Sequence, residues 1–133
     1  MKNKLIIIIG LAAALLMADP KEVFSKYDID EALSVGKMEG KAVLVKFHAD
    51  WCHFCLKMDR VTFTDKNVQK ALNDYIYVKV NVDTKDGMAY ARQYGVTALP
   101  TIVMFDRNGK ILYQKTGFHS AKQMEKILNK RHG

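Results

Sequence analysis

The chain's two cysteines stand three residues apart in Trp51-Cys52-His53-Phe54-Cys55, and a strand-length apolar run lies just before them. Ala42 to Phe47 is apolar except for Lys46, a pattern that suits a central strand buried on both faces. His48-Ala49-Asp50-Trp51 reads as the loop leaving that strand, and Cys52 as the start of a helix running to about Arg60. A Cys-x-x-Cys at a helix N-terminus has a lowered thiol pKa, because free N–H groups and the helix dipole favour the charged sulfur. Such a pair can cycle between dithiol and disulfide unaided. One sulfur attacks a foreign disulfide and the second releases the mixed product. Cys52, nearer the helix start, is expected to attack, and Cys55, one turn inward, to resolve.

Other uses of two cysteines fit less well. The loop they close is too small to staple a fold. A c-type haem motif needs histidine directly after the second cysteine, where this chain has Leu56. A tetrahedral zinc site needs four ligands, and no second Cys-x-x-Cys exists. A copper-binding chaperone using Cys52, Cys55 and His48 or His53 is the competing reading of a different kind. The expectation is no metal and no cofactor beyond a redox-active Cys52–Cys55 disulfide.

The first 18 residues have the layout of a secretory signal peptide: Lys2 and Lys4, an apolar run from Leu5 to Met17 broken by Gly10, then Ala18. The apolar run is shorter than the roughly 20 residues a bilayer-spanning helix needs, so an uncleaved anchor is the weaker reading. The expected organisation is a signal peptide over 1–18, a single domain over 19–133, and a periplasmic location. Export would place the cysteines in an oxidising compartment. Losing Lys2 and Lys4 with no acid lowers the formal charge from +7 to +5. The remaining basic residues are dispersed apart from Lys126 to Arg131, with no stripe of interleaved aromatics, so nucleic acid is not an expected partner.

Beyond the cysteines, Asp65 can cap a short helix carrying Val68, Ala71 and Leu72, and Tyr75 to Val82 alternates as a second strand. Asp83 to Gly87 reads as a turn and Met88 to Tyr94 as a helix closed by Gly95. Ile102 to Phe105, a turn at Asp106-Arg107-Asn108-Gly109, and Ile111 to Lys115 make a hairpin. Ser120 and Gln123 form a capping-box pattern for a last helix with Met124, Ile127 and Leu128 inward. The scattered methionines read as core filler. The predicted fold is α/β: a central mixed sheet flanked by helices on both faces, with the dithiol at the carboxyl end of a central strand.

These segments resemble the thioredoxin-like superfamily. Phe47 to Cys55 is similar to its active-site segment, Lys79-Val80-Asn81-Val82-Asp83 to its third-strand segment, and Tyr94 to Thr101 to its cis-proline loop. Ala49-Asp50-Trp51-Cys52, Thr62-Phe63-Thr64-Asp65 and Val68 to Leu72 most resemble the C-terminal periplasmic domain of the DsbD thiol:disulfide interchange proteins. The resemblance implies a thioredoxin-like thiol–disulfide oxidoreductase, with Pro100 cis and Leu99, Pro100 and Thr101 shaping the substrate groove. It implies protein disulfides or dithiols as substrates, net reduction of partners, and a membrane-bound redox partner to regenerate the dithiol. A thiol oxidase or disulfide isomerase is the alternative.

Four residues are expected to modulate the site. His53, if protonated, would favour the Cys52 thiolate. His53 and Phe54 stand where thioredoxins have Gly-Pro. Trp51 reads as a lid and partner-contact residue. Lys46 departs most: by resemblance the family has an acid there, beneath the resolving cysteine. It either lies under Cys55 and lowers thiol pKa values or forms an ion pair with an acid such as Asp83, since a lysine in an apolar strand is costly unless paired.

Overall fold

The computed structural model describes residues 26–130, so the expected signal peptide lies outside the described residues. The N-terminal helix α1 (Ile29–Glu39) is fixed by a reciprocal cap in which the Asp28 side chain accepts from the Glu31 N–H and Glu31 returns to the Asp28 N–H. Strand β1 (Ala42–His48) follows. Helix α2 (His53–Lys57) continues into a π-helical turn over Met58–Thr62. Helix α3 (Lys66–Leu72) is capped by Asp65, whose carboxylate accepts from the Asn67 and Val68 amides. Strand β2 (Tyr75–Asn81), helix α4 (Lys85–Gln93), strands β3 (Thr101–Phe105) and β4 (Ile111–Thr116), and helix α5 (Ala121–Lys130) follow among the described residues.

The strand order is β2-β1-β3-β4, with β1 parallel to β2 and the other neighbours antiparallel. The sheet is therefore mixed, and β1 is an inner strand. Alternation along β1 sends its side chains to opposite faces. Leu44 joins Tyr77, Ile102, Met104, Met58, Met124 and Leu128 in one core, beneath α3 and α5. Val43, Val45 and Phe47 join Val78, Val103 and Phe105 in the other, beneath α1 and α4. Helices cover both faces, as expected. Truncating a core side chain such as Leu44 to alanine costs about 2–5 kcal/mol.

Two sequence expectations are revised. Helix α4 begins at Lys85, capped by Thr84, so Gly87 lies inside its first turn and not in a turn before it. The reason is a close approach: a Cβ at Gly87 would overlap the Asn81 carbonyl oxygen. The methionines also divide. Met58, Met104 and Met124 are buried, but Met38 and Met88 stand exposed.

Candidate active site

The carboxyl end of β1 delivers the cysteines. Val82 N–H donates to the His48 carbonyl at 2.9 Å, continuing the β1–β2 pairing to the loop. The Cys52 N–H then donates to Ala49 O at 3.1 Å, closing a turn that sets Cys52 as the N-cap of α2. Its sulfur accepts from the Cys55 N–H at 3.2 Å. A cap position offers a sulfur amides that carry the positive end of the helix. Cys52 and Cys55 are joined as a disulfide with Cα atoms 5.2 Å apart. Cys55 is wholly buried and Cys52 retains 6 % exposure, so Cys52 is the more accessible residue of the pair.

Around the disulfide, Ala49, Val82 and Leu99 close an apolar wall. The Leu99–Pro100 peptide bond is cis. Trp51, Val82, Ala91, Val96 and the Thr97–Leu99 segment line a groove of about 230 Å³ beside Cys52. Trp51 is 71 % exposed yet oriented, because its indole N–H donates to Asp83 Oδ2 at 2.9 Å. Phe54 is exposed too, its ring 5.6 Å from His53 and 6.4 Å from Phe118. His53 projects to solvent. Of the expected groove residues, Leu99 is partly open, while Pro100 and Thr101 are buried. The Thr101 hydroxyl is used internally, bonding Ala98 O and Thr116 Oγ1, each at 2.7 Å.

Lys46 lies beneath Cys55. Its side chain is fully buried, and its Nζ donates to the Cys55 carbonyl at 3.4 Å. The acid that pairs with it is Asp59, and not Asp83, which holds Trp51 instead. The sheet register explains why an acid is needed. Lys46 sits directly opposite Lys79 on the parallel neighbour β2, and facing like charges repel. Asp59 Oδ1 takes Lys46, and Oδ2 takes Lys79 at 3.0 Å. The Phe63 ring, 5.3 Å from Lys46 Nζ and stacked on Tyr77, closes the cluster. Burial lowers the Lys46 pKa, opposed by the hydrogen bond and charge of Asp59. Burial pushes the Asp59 carboxyl up, but the two lysines outweigh it and hold the carboxyl below its ordinary value. His48 is held low by burial, then by Lys79 and Lys46.

Sequence reasoning missed Asp59. It lies four residues after Cys55, one helical turn on, so its spacing carried a usable signal. It also missed His119, buried and bonded through Nε2 to the Tyr113 hydroxyl and through Nδ1 to Gly117 O. Burial lowers that imidazole. Its carbonyl accepts from Thr62 Oγ1 at 2.6 Å, tying the end of the π-helical turn to the loop before α5. Among the described residues no three histidine, cysteine or carboxylate side chains gather as a metal site, and no helix is long and apolar enough to cross a membrane.

Comparison with known proteins agrees with this geometry. A sequence family described as a thioredoxin-like domain matches residues 29–132. The thiol:disulfide interchange protein DsbD of Colwellia psychrerythraea is 33 % identical over 106 residues, which is 76 % of this chain and 17 % of that protein. DsbD of Escherichia coli K12 is 36 % identical over 108 residues, 78 % of this chain and 19 % of its own length. The chain thus spans less than a fifth of these relatives. A thioredoxin from Thermus thermophilus superposes with a TM-score of 0.70 at 29 % identity, over 78 % of this chain and 83 % of that one. The reduced C-terminal domain of Neisseria meningitidis DsbD shares the fold, with a TM-score of 0.65 at 21 % identity over 77 % of this chain and 93 % of that one. With its cysteine pair at the helix mouth beyond β1, the chain belongs to the thioredoxin-like family of thiol–disulfide oxidoreductases.

Proposed function

We propose that this protein is an exported, periplasmic reductant of disulfides in partner proteins. One observation carries the reading: a disulfide at the N-terminus of α2 whose first cysteine, Cys52, is the more exposed residue and caps the helix through its sulfur. In the reduced state that cap favours the Cys52 thiolate. The thiolate attacks a partner disulfide, forming a Cys52–partner bond and releasing one partner thiolate. Cys55 then attacks the Cys52 sulfur, re-forming the internal disulfide and releasing the second partner sulfur. Two electrons pass to the partner, and the protons of the dithiol end on its two thiols.

The groove beside Trp51 and Leu99 supports docking of an extended partner segment against the Leu99 backbone, a mode that reads main chain and so accepts many sequences. Trp51, Phe54, His53 and Lys46 modulate the site. The similarity to DsbD supports the direction of electron flow, the periplasmic location and regeneration by a membrane-bound donor. The Lys2-to-Ala18 layout supports export.

A redox titration of the full chain against glutathione tests the reading. A potential near that of thioredoxin, about −270 mV, supports a reductant, and one near about −120 mV would make it an oxidant.

A further inference from the structure

Cys55 has a buried, charged floor. Lys46 Nζ touches the Cys55 carbonyl, Asp59 bridges Lys46 and Lys79, and all three side chains converge below α2. Asp59 divides its charge between two lysines, so it offsets the Lys46 cation only in part. Among the described residues, the other titratable groups facing the cluster include His48 at the end of β1, held low by burial and both lysines, and the Tyr77 hydroxyl on β2, pushed well above its ordinary value by burial and Asp59. Neither adds a negative charge at neutral pH. Lys46 itself is sealed from solvent, where water screens charge least. Asp59 is placed by the π-helical turn that continues α2, a departure from regular helix of the kind that concentrates at functional sites.

We propose that Lys46 is a positioning residue for the resolving step: its buried charge, shared with Asp59 and Lys79, stabilises the Cys55 thiolate. The inference rests on the redox reading above and specifies how its second half is driven. In the mixed disulfide, Cys52 is bonded to the partner and only Cys55 of the pair can ionise. Its proton passes to water or to the departing partner sulfur. The resulting thiolate attacks the Cys52 sulfur, the Cys52–partner bond breaks, and the Cys52–Cys55 bond forms. A nearby cation raises the fraction of Cys55 that is ionised, and so the rate of that attack. It also stabilises the reduced protein over the disulfide, because only the reduced form carries a thiolate.

The test isolates the resolving thiol. In full-length Cys52→Ser protein, ultraviolet thiolate absorbance against pH gives the Cys55 ionisation with and without Lys46→Met. Methionine preserves most of the length and the apolar stem, and Asp59 keeps Lys79. The expected result is a Cys55 thiolate fraction about tenfold lower near neutral pH. In the wild-type Cys52–Cys55 background, Lys46→Met should lower the equilibrium constant for reduction by glutathione, by a smaller factor than the Cys55 fraction changes, because the reduced pair carries its thiolate chiefly on Cys52. Lys79→Met leaves Asp59 wholly to Lys46. It should move both readouts the same way by a smaller factor, and it supplies the test if Lys46→Met does not fold. Wild-type protein that exchanges with glutathione while both variants leave the Cys55 ionisation unchanged would overturn this inference alone. A wild-type dithiol that does not exchange at all would overturn the redox reading beneath it.

Discussion

Replacing Asp59 by asparagine removes one charge and strands another. Lys46 has no exposed side-chain surface, whereas Asp59 retains 26 % and Lys79 25 %. Breaking a buried ion pair from one side costs about 3–5 kcal/mol, because the remaining charge stays desolvated without its counter-ion. Water already reaches part of Asp59, so the expected loss is about 2–4 kcal/mol. For a domain of this size each kcal/mol moves Tm by about 4–8 °C, and Asp59→Asn should melt at least about 8 °C lower near neutral pH. Urea unfolding should show the same loss at unchanged slope. The double variant Lys46→Met/Asp59→Asn should recover about 2 kcal/mol or more relative to Asp59→Asn, since the orphaned cation is gone. If Asp59→Asn stays within about 0.5 kcal/mol of wild type, or if the double variant is no more stable than the single, the cluster does not hold Lys46 as described.

Three further outcomes are expected. Cys55→Ser should accumulate a covalent Cys52–partner adduct that thiol reductant releases, seen by non-reducing electrophoresis and mass mapping; Cys52→Ser accumulating the adduct through Cys55 instead would contradict the assigned order. Because the Asp59 carboxyl is held below its ordinary value when folded, its contribution is fully present above the unfolded carboxyl pKa and is lost as pH falls below about 4; wild type should therefore lose stability on acidification more steeply than Asp59→Asn in parallel urea titrations. Gly87→Ala, whose Cβ would overlap Asn81 O, should cost about 2 kcal/mol or more by urea unfolding, and a neutral substitution would show that α4 can shift away from β2.

Much of the molecule was legible in the chain because local pattern and tertiary role coincide. The apolar run Ala42 to Phe47 became inner strand β1, and the cysteines fell on the helix that follows it. The Ser120–Gln123 pattern became a reciprocal cap, with Ser120 N–H donating to Gln123 Oε1 and Gln123 N–H to Ser120 Oγ. What escaped depends on contacts between distant segments. Gly87 reads locally as a turn residue, and only the approach of α4 to Asn81 shows why it belongs in a helix. Lys46 announced that it needed an acid, but its pattern in β1 does not say which one; the fold commits Asp83 to Trp51 and brings Asp59 to the lysine. Met38 and Met88 look apolar in sequence yet face outward, since single apolar side chains on a surface are ordinary.

The measurement closest to the central claim is the pH dependence of alkylation of the fully reduced wild-type protein, with each modified cysteine located by mass spectrometry. Cys52 is predicted to react first, with an apparent pKa below the ordinary thiol value of about 8.5, while Cys55 stays protected until the domain unfolds. Reaction at Cys55 first, or at both sulfurs together with ordinary thiol behaviour, would contradict the assignment.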